Sequence, residues 1–386
     1  MTIENYISRF AAAVDSPYTQ ARRCKAQGQK VIGWLLTDVP EELIHAAGAF
    51  PVGILGSHNN IRLADTHVQV WMCSLMRSSL EMGLAGELDF LDGVVIPHTC
   101  DTARMIGDIW RRNCRTPYVD SFLMPRQVNR RSAREYLIGE LGRLKRQLEQ
   151  RTGEMITAEK LHASIRLFNE NRRLLRRMRE IHAGHPGLLT SRQVYTVIKA
   201  AMYMDKAEHN RILRDLVREL EEKADEGAGV LPGTVRLVIS GGVWEPPETM
   251  DLIDGAGGVV VGDDLHTGAR YLGPDPDEDG DGLAALADRQ LNKMPFCAHE
   301  NGDYGRARFL IDLARRSQAD GLLFLHLKFC EPENYDYHDL REALKAAAIP
   351  NFRLETEFTN PNLGQIRTRL EAFIEMIGRD SIERTF

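Results

Sequence analysis

The stretch Leu88–Arg104, LDFLDGVVIPHTCDTAR, contains a short apolar run, Gly93-Val94-Val95-Ile96, that stops at Pro97. Cys100 comes next, and a helical pattern begins at Thr102-Ala103-Arg104. An apolar run bounded by turn residues and followed by a helix reads as a buried strand feeding a helix. In open α/β sheets ligands sit outside the carboxyl ends of such strands, so a cysteine placed there is a candidate for chemistry. The same grammar recurs at Gly321–Leu327 (GLLFLHL), followed by Lys328-Phe329-Cys330-Glu331-Pro332 and a helix expected over Tyr337–Ala347. A third cysteine, Cys73, stands at the start of a helical stretch in Trp71–Ser78 (WMCSLMRS).

Working outward, Lys30–Leu36 reads as a strand, Pro40–Gly48 as a helix with proline at its start and glycine at its end, and Phe50–Leu55 as a returning strand. That is a βαβ unit, for which parallel pairing is expected. No G-x-G-x-x-G fingerprint follows its first strand, which argues against a dinucleotide site there. Residues 67–86 read as the helix that carries Cys73. From Arg130 to Glu226 the chain is rich in Arg, Glu, Leu and Lys, with apolar positions at helical spacing (Leu161, Ile165, Phe168, Leu175) and a capping-box pattern at Thr190–Gln193. A second α/β pattern begins at Val235–Ile239, with Ser240-Gly241-Gly242 at the strand end. The glycines there either admit a phosphate or make a tight turn. It continues through a helix at Pro247–Ala256, a strand at Gly258–Gly262, helix Arg306–Ser317, strand Asn351–Leu354 and a terminal helix Asn362–Ile377. The expected fold is therefore α/β: two lobes with parallel sheets flanked by helices, a helical bridge, and a site in the cleft. The expected divisions are 1–129, an N-terminal lobe with Cys73 and Cys100; 130–230, the bridge; and 231–386, a C-terminal lobe with Cys330.

The chain has 386 residues, too many for one small core, with 43% hydrophobic and 27% charged residues. It contains no apolar run of the ~18 residues needed to span a membrane, and MTIENYISRF lacks a signal-peptide layout. A cytoplasmic, membrane-free protein is expected. The net charge of −6 gives no global electrostatic case for nucleic acid. Basic clusters at Arg111–Arg115 and Arg172–Arg179 are either solvated helix faces or docking surfaces for an acidic partner or phosphates. Asp275–Gly282, DPDEDGDG, imitates a calcium loop, but Leu286 stands where the ligating glutamate belongs, so an acidic surface loop is expected.

Six cysteines occur, none in a CxxC pair, so neither a zinc knuckle nor a disulfide framework is expected. Cys73, Cys100 and Cys330 fit two descriptions: unrelated buried thiols, or three thiolates of one iron–sulfur cluster with an iron left open. Helix N-termini at Cys73 and Cys100 would favour thiolates. His98 and His326, each near one of these cysteines in sequence, are candidate catalytic proton donors or ordinary strand and core histidines. Glu41, Glu42 and His45 either face the cleft or solvate their helix. Cys297 lies in a loop able to reach the cleft, whereas Cys24 and Cys114 read as inert.

Five stretches carry a family resemblance: Gly33–Ile54 (GWLLTDVPEELIHAAGAFPVGI), Cys73–Ser79 (CSLMRSS), Leu88–Arg104, Val238–Gly242 with Gly262-Asp263-Asp264, and Phe329–Glu333 (FCEPE) with Ile349–Glu355. In this order they resemble the 2-hydroxyacyl-CoA dehydratase D-components and the related subunits of ATP-dependent benzoyl-CoA reductase. The resemblance implies a [4Fe-4S] cluster held by Cys73, Cys100 and Cys330. It also implies a paralogous cluster-binding subunit, a separate ATP-hydrolysing activator that delivers a low-potential electron, and an acyl- or aryl-CoA substrate. Ser78–Arg112 looks closer to the small benzoyl-CoA reductase subunits, so an oxygen-sensitive reductase of an aromatic CoA thioester is the expected function. A dehydratase that expels water through a ketyl radical is the alternative, and a non-catalytic electron relay or scaffold is a further one. The aromatic residues Trp34, Trp71, Phe122 and Phe329 are expected to line a substrate channel, as an enzyme would need.

Overall fold

The computed structural model describes residues 2–295, 305–359 and 361–383. Cys297 lies outside the described residues.

The N-terminal lobe runs α1 (Ile3–Asp15), α2 (Thr19–Ala26), β1 (Val31–Trp34), α3 (Glu41–Ala46), β2 (Phe50–Gly53), α4 (Ser74–Leu84), β3 (Gly93–Pro97), α5 (Asp101–Asn113) and β4 (Val119–Phe122). Its strands form one parallel sheet in the order β2-β1-β3-β4. β1, β2 and β3 are buried throughout, as expected when helices cover both faces of a parallel sheet. Each buried Val or Ile there contributes about 1.5–3 kcal/mol.

Four helices follow: α6 (Arg131–Thr152), α7 (Ala158–Gly184), α8 (Ser191–Ala200) and α9 (Lys206–Asp225). The capping box at Thr190 and Gln193 opens α8, and Gly153 in the left-handed conformation closes α6. These helices pack into one continuous core with the N-terminal lobe through Leu141, Ile165, Ile198 and Leu213.

The C-terminal lobe runs β5 (Val235–Gly241), α10 (Glu248–Gly255), β6 (Gly258–Asp263), α11 (Ala269–Leu272), α12 (Gly282–Leu291), α13 (Gly305–Arg316), β7 (Gly321–Leu327), α14 (Glu331–Ala346), β8 (Asn351–Thr356) and α15 (Leu363–Glu383). Its parallel sheet has the order β6-β5-β7-β8, the same order as in the first lobe. One face packs on α10 and α15 through Ile253, Leu370 and Phe373. The other packs on α13 and α14 through Leu310, Leu340 and Leu344.

In both sheets the first strand in sequence lies between the second and the third. Chain direction outward from the sheet centre therefore reverses between β1 and β3, and again between β5 and β7. Such a switch point opens a crevice at the carboxyl ends of its two strands. The two crevices face each other, as the site below shows. Among the described residues no helix is long and apolar enough to cross a membrane.

Several expectations require correction. The Cys330 helix begins at Glu331 rather than Tyr337, because Pro332 falls in its first turn, where a missing N–H costs nothing. The helix expected from residue 67 begins at Ser74, after a short 3-10 turn at Ala64–Thr66. Trp34 and Phe122 line no channel: both are strand residues fully buried in the core, and Trp34 stacks on Tyr271 with ring centroids 6.3 Å apart. Glu41 and Glu42 are buried ties to neighbouring elements. Tyr271 donates to Glu41 at 2.8 Å, and Arg172 donates to Glu42 at 2.7 Å. The DPDEDGDG loop is the partner of one basic cluster: Arg173 and Arg176 bond Asp275, and Arg173 also bonds Glu278.

Candidate functional site

Each of the three cysteines singled out in the sequence is the residue immediately before a helix: Cys73 before α4, Cys100 before α5 and Cys330 before α14. The three side chains line one cavity of about 60 Å³. Its wall also takes Leu36 from beyond β1, Thr99 from beyond β3, Val243 from beyond β5 and Phe329 from beyond β7. The cavity is therefore where the two switch points meet, and the sheet order alone accounts for a thiol from each lobe being there.

Local chemistry holds each cysteine in place. The approach to Cys73 is tied down by its own helix: Arg77 donates to Asp65 and to the Val70 carbonyl, while Glu81 accepts from the N–H groups of Arg62 and Ala64. Cys100 Sγ accepts from the Ala103 N–H at 3.4 Å. At Cys330 the preceding Phe329 has φ 62°, a left-handed conformation that is costly for a bulky residue, and its ring is left at the cavity wall.

Burial raises the thiol pKa at all three positions, to about 11 for Cys73 and well above the ordinary value for Cys330. First-turn N–H groups oppose this, those of Met76 and Leu75 at Cys73 and of Ala103 and Thr102 at Cys100. A negative charge on any one of the three disfavours charge on a neighbour, which is the electrostatic mark of their closeness. Left to themselves these thiols stay protonated near neutral pH, so a metal bound here must displace protons.

Behind α14 lies a buried ionic cluster. Arg306 reaches Glu333 at 2.9 Å, Asp264 at 3.1 Å and Asp336 at 2.9 Å. It joins the first turns of the Cys330 helix to the end of β6. Burial pushes the Glu333 carboxyl up, but Arg306 and His326 outweigh it and hold Glu333 ionised. On the opposite wall the segment after β1 is pinned: Thr99 donates to Asp38 at 2.6 Å, Gln290 donates to the Asp38 carbonyl at 2.9 Å, and Lys293 donates to the Thr37 carbonyl.

The two histidines expected from sequence are not brought together. His98 lines a separate outer recess with Arg104, Arg126 and Tyr136. His326 is fully buried on β7 between Phe324 and Tyr337, with Nε2 3.5 Å from Glu333; it is not part of the cavity wall. The imidazole that does line the cavity is His266, whose Nδ1 lies 3.0 Å from Thr37 Oγ1 across the cleft. Burial lowers its pKa to about 3, so the ring is neutral. Sequence reasoning passed over it, since it follows the weakly specific Gly262-Asp263-Asp264 turn and no spacing marks it.

Cys24 and Cys114 are free thiols outside the cavity wall. Among the described residues, no group of three or more His, Cys, Asp or Glu side chains is arranged to hold a single metal ion. Three cysteines lining one cavity are the kind of donor by which iron–sulfur clusters are held. The donors are soft and the wall is apolar at Leu75, Met76 and Leu327; among the described residues no lysine or arginine lines it, and its charged members are Glu331 and Glu333. The residues fit an iron–sulfur cluster.

Fold and site together define a two-lobed α/β protein with cysteines at facing strand ends. A family model described as 2-hydroxyglutaryl-CoA dehydratase, D-component, matches residues 36–377, and the chain belongs to that family. It is 32% identical over 383 residues to the (R)-2-hydroxyglutaryl-CoA dehydratase subunit beta of Acidaminococcus fermentans, covering 98% of this chain and 100% of that one. It is 30% identical to the (R)-phenyllactyl-CoA dehydratase beta subunit of Clostridium sporogenes, covering 97% and 99%. To a benzoyl-CoA reductase subunit of Thauera aromatica it is 27% identical, covering 98% and 99%.

Proposed function

We propose that the chain is the iron–sulfur subunit of an ATP-dependent, oxygen-sensitive enzyme that transforms a CoA thioester by single-electron chemistry. The observation that carries this reading is the convergence of Cys73, Cys100 and Cys330 on one cavity in a chain of this family. A bound [4Fe-4S] cluster supplies a one-electron carrier whose potential can lie as low as about −700 mV. The chain's own residues have three tasks. Cys73, Cys100 and Cys330 hold the cluster. Leu36, Leu75, Met76, Val243 and Leu327 exclude water, which keeps charge changes inside the cavity poorly screened. The neutral His266, tied to Thr37, bridges the lobes by hydrogen bonding and holds the cavity at its working width. Neither expected proton donor lines the cavity itself: His326 lies one layer behind Glu333, and His98 lies on the outer side of the Cys100 loop.

Relatives named as subunits support an assembly with a paralogous chain. An ATP-hydrolysing activator would deliver the electron. Of the two branches, the dehydratase reading has the support of the family description and of the relatives at 30% and 32% identity. The aryl-CoA reductase reading rests on Ser78–Arg112 and on the relative at 27%. An outer groove of about 390 Å³ shares Thr99, Cys100, Thr102, Glu331 and Pro332 with the cavity. That opening favours an enzyme over a walled-in relay.

The first test is iron and sulfide content after anaerobic purification. Cys73→Ser, Cys100→Ser and Cys330→Ser should each lose most of the iron while keeping the far-UV spectrum of the parent. Full iron content in Cys330→Ala would overturn the ligand set. The branch is decided by the complex with its activator, ATP and a strong reductant under anoxia. Dehydration of a 2-hydroxyacyl-CoA with no action on benzoyl-CoA places the chain in the dehydratase branch, and a cyclic diene thioester from benzoyl-CoA places it in the other.

A further inference from the structure

We infer that Leu36 and Phe329 form a paired apolar seal, one residue from each lobe, that limits access from solvent to the three thiols. The seal acts on the thiols themselves, whatever they bind, so it does not rest on the proposed cluster. Among the described residues, four other than glycine have a left-handed backbone: Leu36 (φ 54°), Gln318 (φ 49°), Phe329 (φ 62°) and Ala348 (φ 56°). Two of these have an ordinary cause. Gln318 and Ala348 each follow the end of a helix, and the N–H of the next residue reaches back into the last turn. Ala319 donates to the Ala314 carbonyl and Ile349 to the Leu344 carbonyl, both at 2.9 Å. That is the usual left-handed helix stop. Leu36 and Phe329 end no helix, and both line the thiol cavity. Leu36 follows β1 and Phe329 follows β7, so each lobe supplies one.

Both backbones are constrained from either side. Phe329 is third in the turn Leu327–Cys330, which the Cys330 N–H closes on the Leu327 carbonyl at 3.1 Å. The Lys328 N–H is held by the Thr356 carbonyl at 2.9 Å. A positive φ at that place in a turn is ordinarily met by glycine. Before Leu36, the Leu35 N–H donates to the Val95 carbonyl at 3.2 Å. After it, Thr37 Oγ1 meets His266, and Gln290 donates to the Asp38 carbonyl.

A bulky side chain is strained in such a conformation, and strain of this kind persists only where the neighbours over-determine it. Glycine would take either backbone freely but would leave no side chain at the wall. What the two strained residues supply is therefore bulk at the cavity. Leu36 is 7% exposed and belongs to the buried part of the wall. Phe329 is 43% exposed, so it belongs at once to the wall and to the outer surface.

The test follows alkylation of the full-length chain, before any cluster is loaded, by iodoacetamide and by the bulkier N-phenylmaleimide. Mass spectrometry assigns the adducts to individual cysteines. Phe329→Gly and Phe329→Ala should each speed modification of Cys73, Cys100 and Cys330 by about tenfold, and more for the maleimide than for iodoacetamide. Leu36→Ala should act in the same direction. Cys24 and Cys114, outside the cavity wall, should keep the parent rates and so report an intact fold. Phe329→Leu, which keeps a large apolar side chain, should stay close to the parent. Urea midpoints supply the second readout. At an unstrained position alanine is more stable than glycine, because glycine has more freedom to lose. Here Phe329→Gly should exceed Phe329→Ala, and Leu36→Gly should exceed Leu36→Ala. Unchanged alkylation in these variants would overturn the seal. Equal acceleration by both reagents would also overturn it, because a larger thiolate fraction, not a wider opening, would then be the cause. Alanine more stable than glycine at either position would remove the strain on which the pairing rests, and the inference with it.

Discussion

At Gly241 a Cβ would stand 2.1 Å from the Leu325 carbonyl oxygen, a backbone atom that has no rotamer with which to move aside. Gly241 closes β5 and Leu325 lies beside it on β7, so the contact sits at the switch point that opens the thiol cavity. Only glycine lets these two strands approach so closely. Gly241→Ala should cost about 3 kcal/mol through forced separation of the strands, read as a lower urea midpoint. It should also loosen the Val243 wall of the cavity. An unchanged midpoint would show that the sheet opens there without strain.

At the scale of elements, α14 matters most, because it carries Cys330 and is fastened from beneath by Arg306. Arg306→Gln leaves Asp264 and Glu333 as neighbouring buried carboxylates and should destabilise the chain by about 3–5 kcal/mol. Glu333→Gln added to it should recover part of the loss, since one unpaired charge is then removed. Additive losses in equilibrium unfolding would deny the coupling. The elements also show what sequence can carry. Gly93–Pro97 and Gly321–Leu327 were readable because strands covered on both faces are continuously apolar. β4 escaped notice: Val119-Asp120-Ser121-Phe122 is a half-buried edge strand, and its two polar residues hide it. The start of α14 was misplaced because Pro332 reads as a helix stop from one side and as a first-turn residue from the other. The three cysteines were legible from their places beside strands and helices. His266 and Arg306 were not, since the partners that give them meaning are distant in sequence.

The whole molecule should be more sensitive to mild acid than its carboxylates alone would make it. His209 is fully buried between the Val197 carbonyl at 3.0 Å and the Asn171 amide at 2.8 Å, so its ring donates from Nε2 and accepts at Nδ1. Burial, reinforced by Lys206, lowers its pKa from 6.5 to about 3. His182 falls to about 4 for the same first reason, with Arg179 assisting. A histidine kept neutral when folded is protonated first in the unfolded chain. Its stabilising effect is complete above pH 6.5 and is lost as pH falls towards the folded value, by up to about 1.4 kcal/mol per pH unit for each ring. Unfolding free energy should therefore decline between pH 6.5 and 4.5, and His209→Gln should reduce that slope by about one proton's worth. His58 acts in the opposite sense. Its hydrogen bond to Glu245, 3.3 Å away in the other lobe, raises its pKa, so that link is complete at low pH and fades as pH rises through the folded value. An identical slope in His209→Gln would show that the ring is already protonated in the folded chain.

The placement of the three thiols also constrains how the protein is made. Cys73 and Cys100 leave the ribosome early, whereas Cys330 follows β7, a strand that pairs on its far side with the still later β8. Domains fold as they emerge, so the first lobe can settle around β1 and β3 while the chamber it will share has only one side. A cluster held by all three thiols, as proposed above, could therefore be completed only on the finished polypeptide. Any factor that supplied the proposed cluster would have to recognise the folded, post-translational chain, in which both lobes already flank the site.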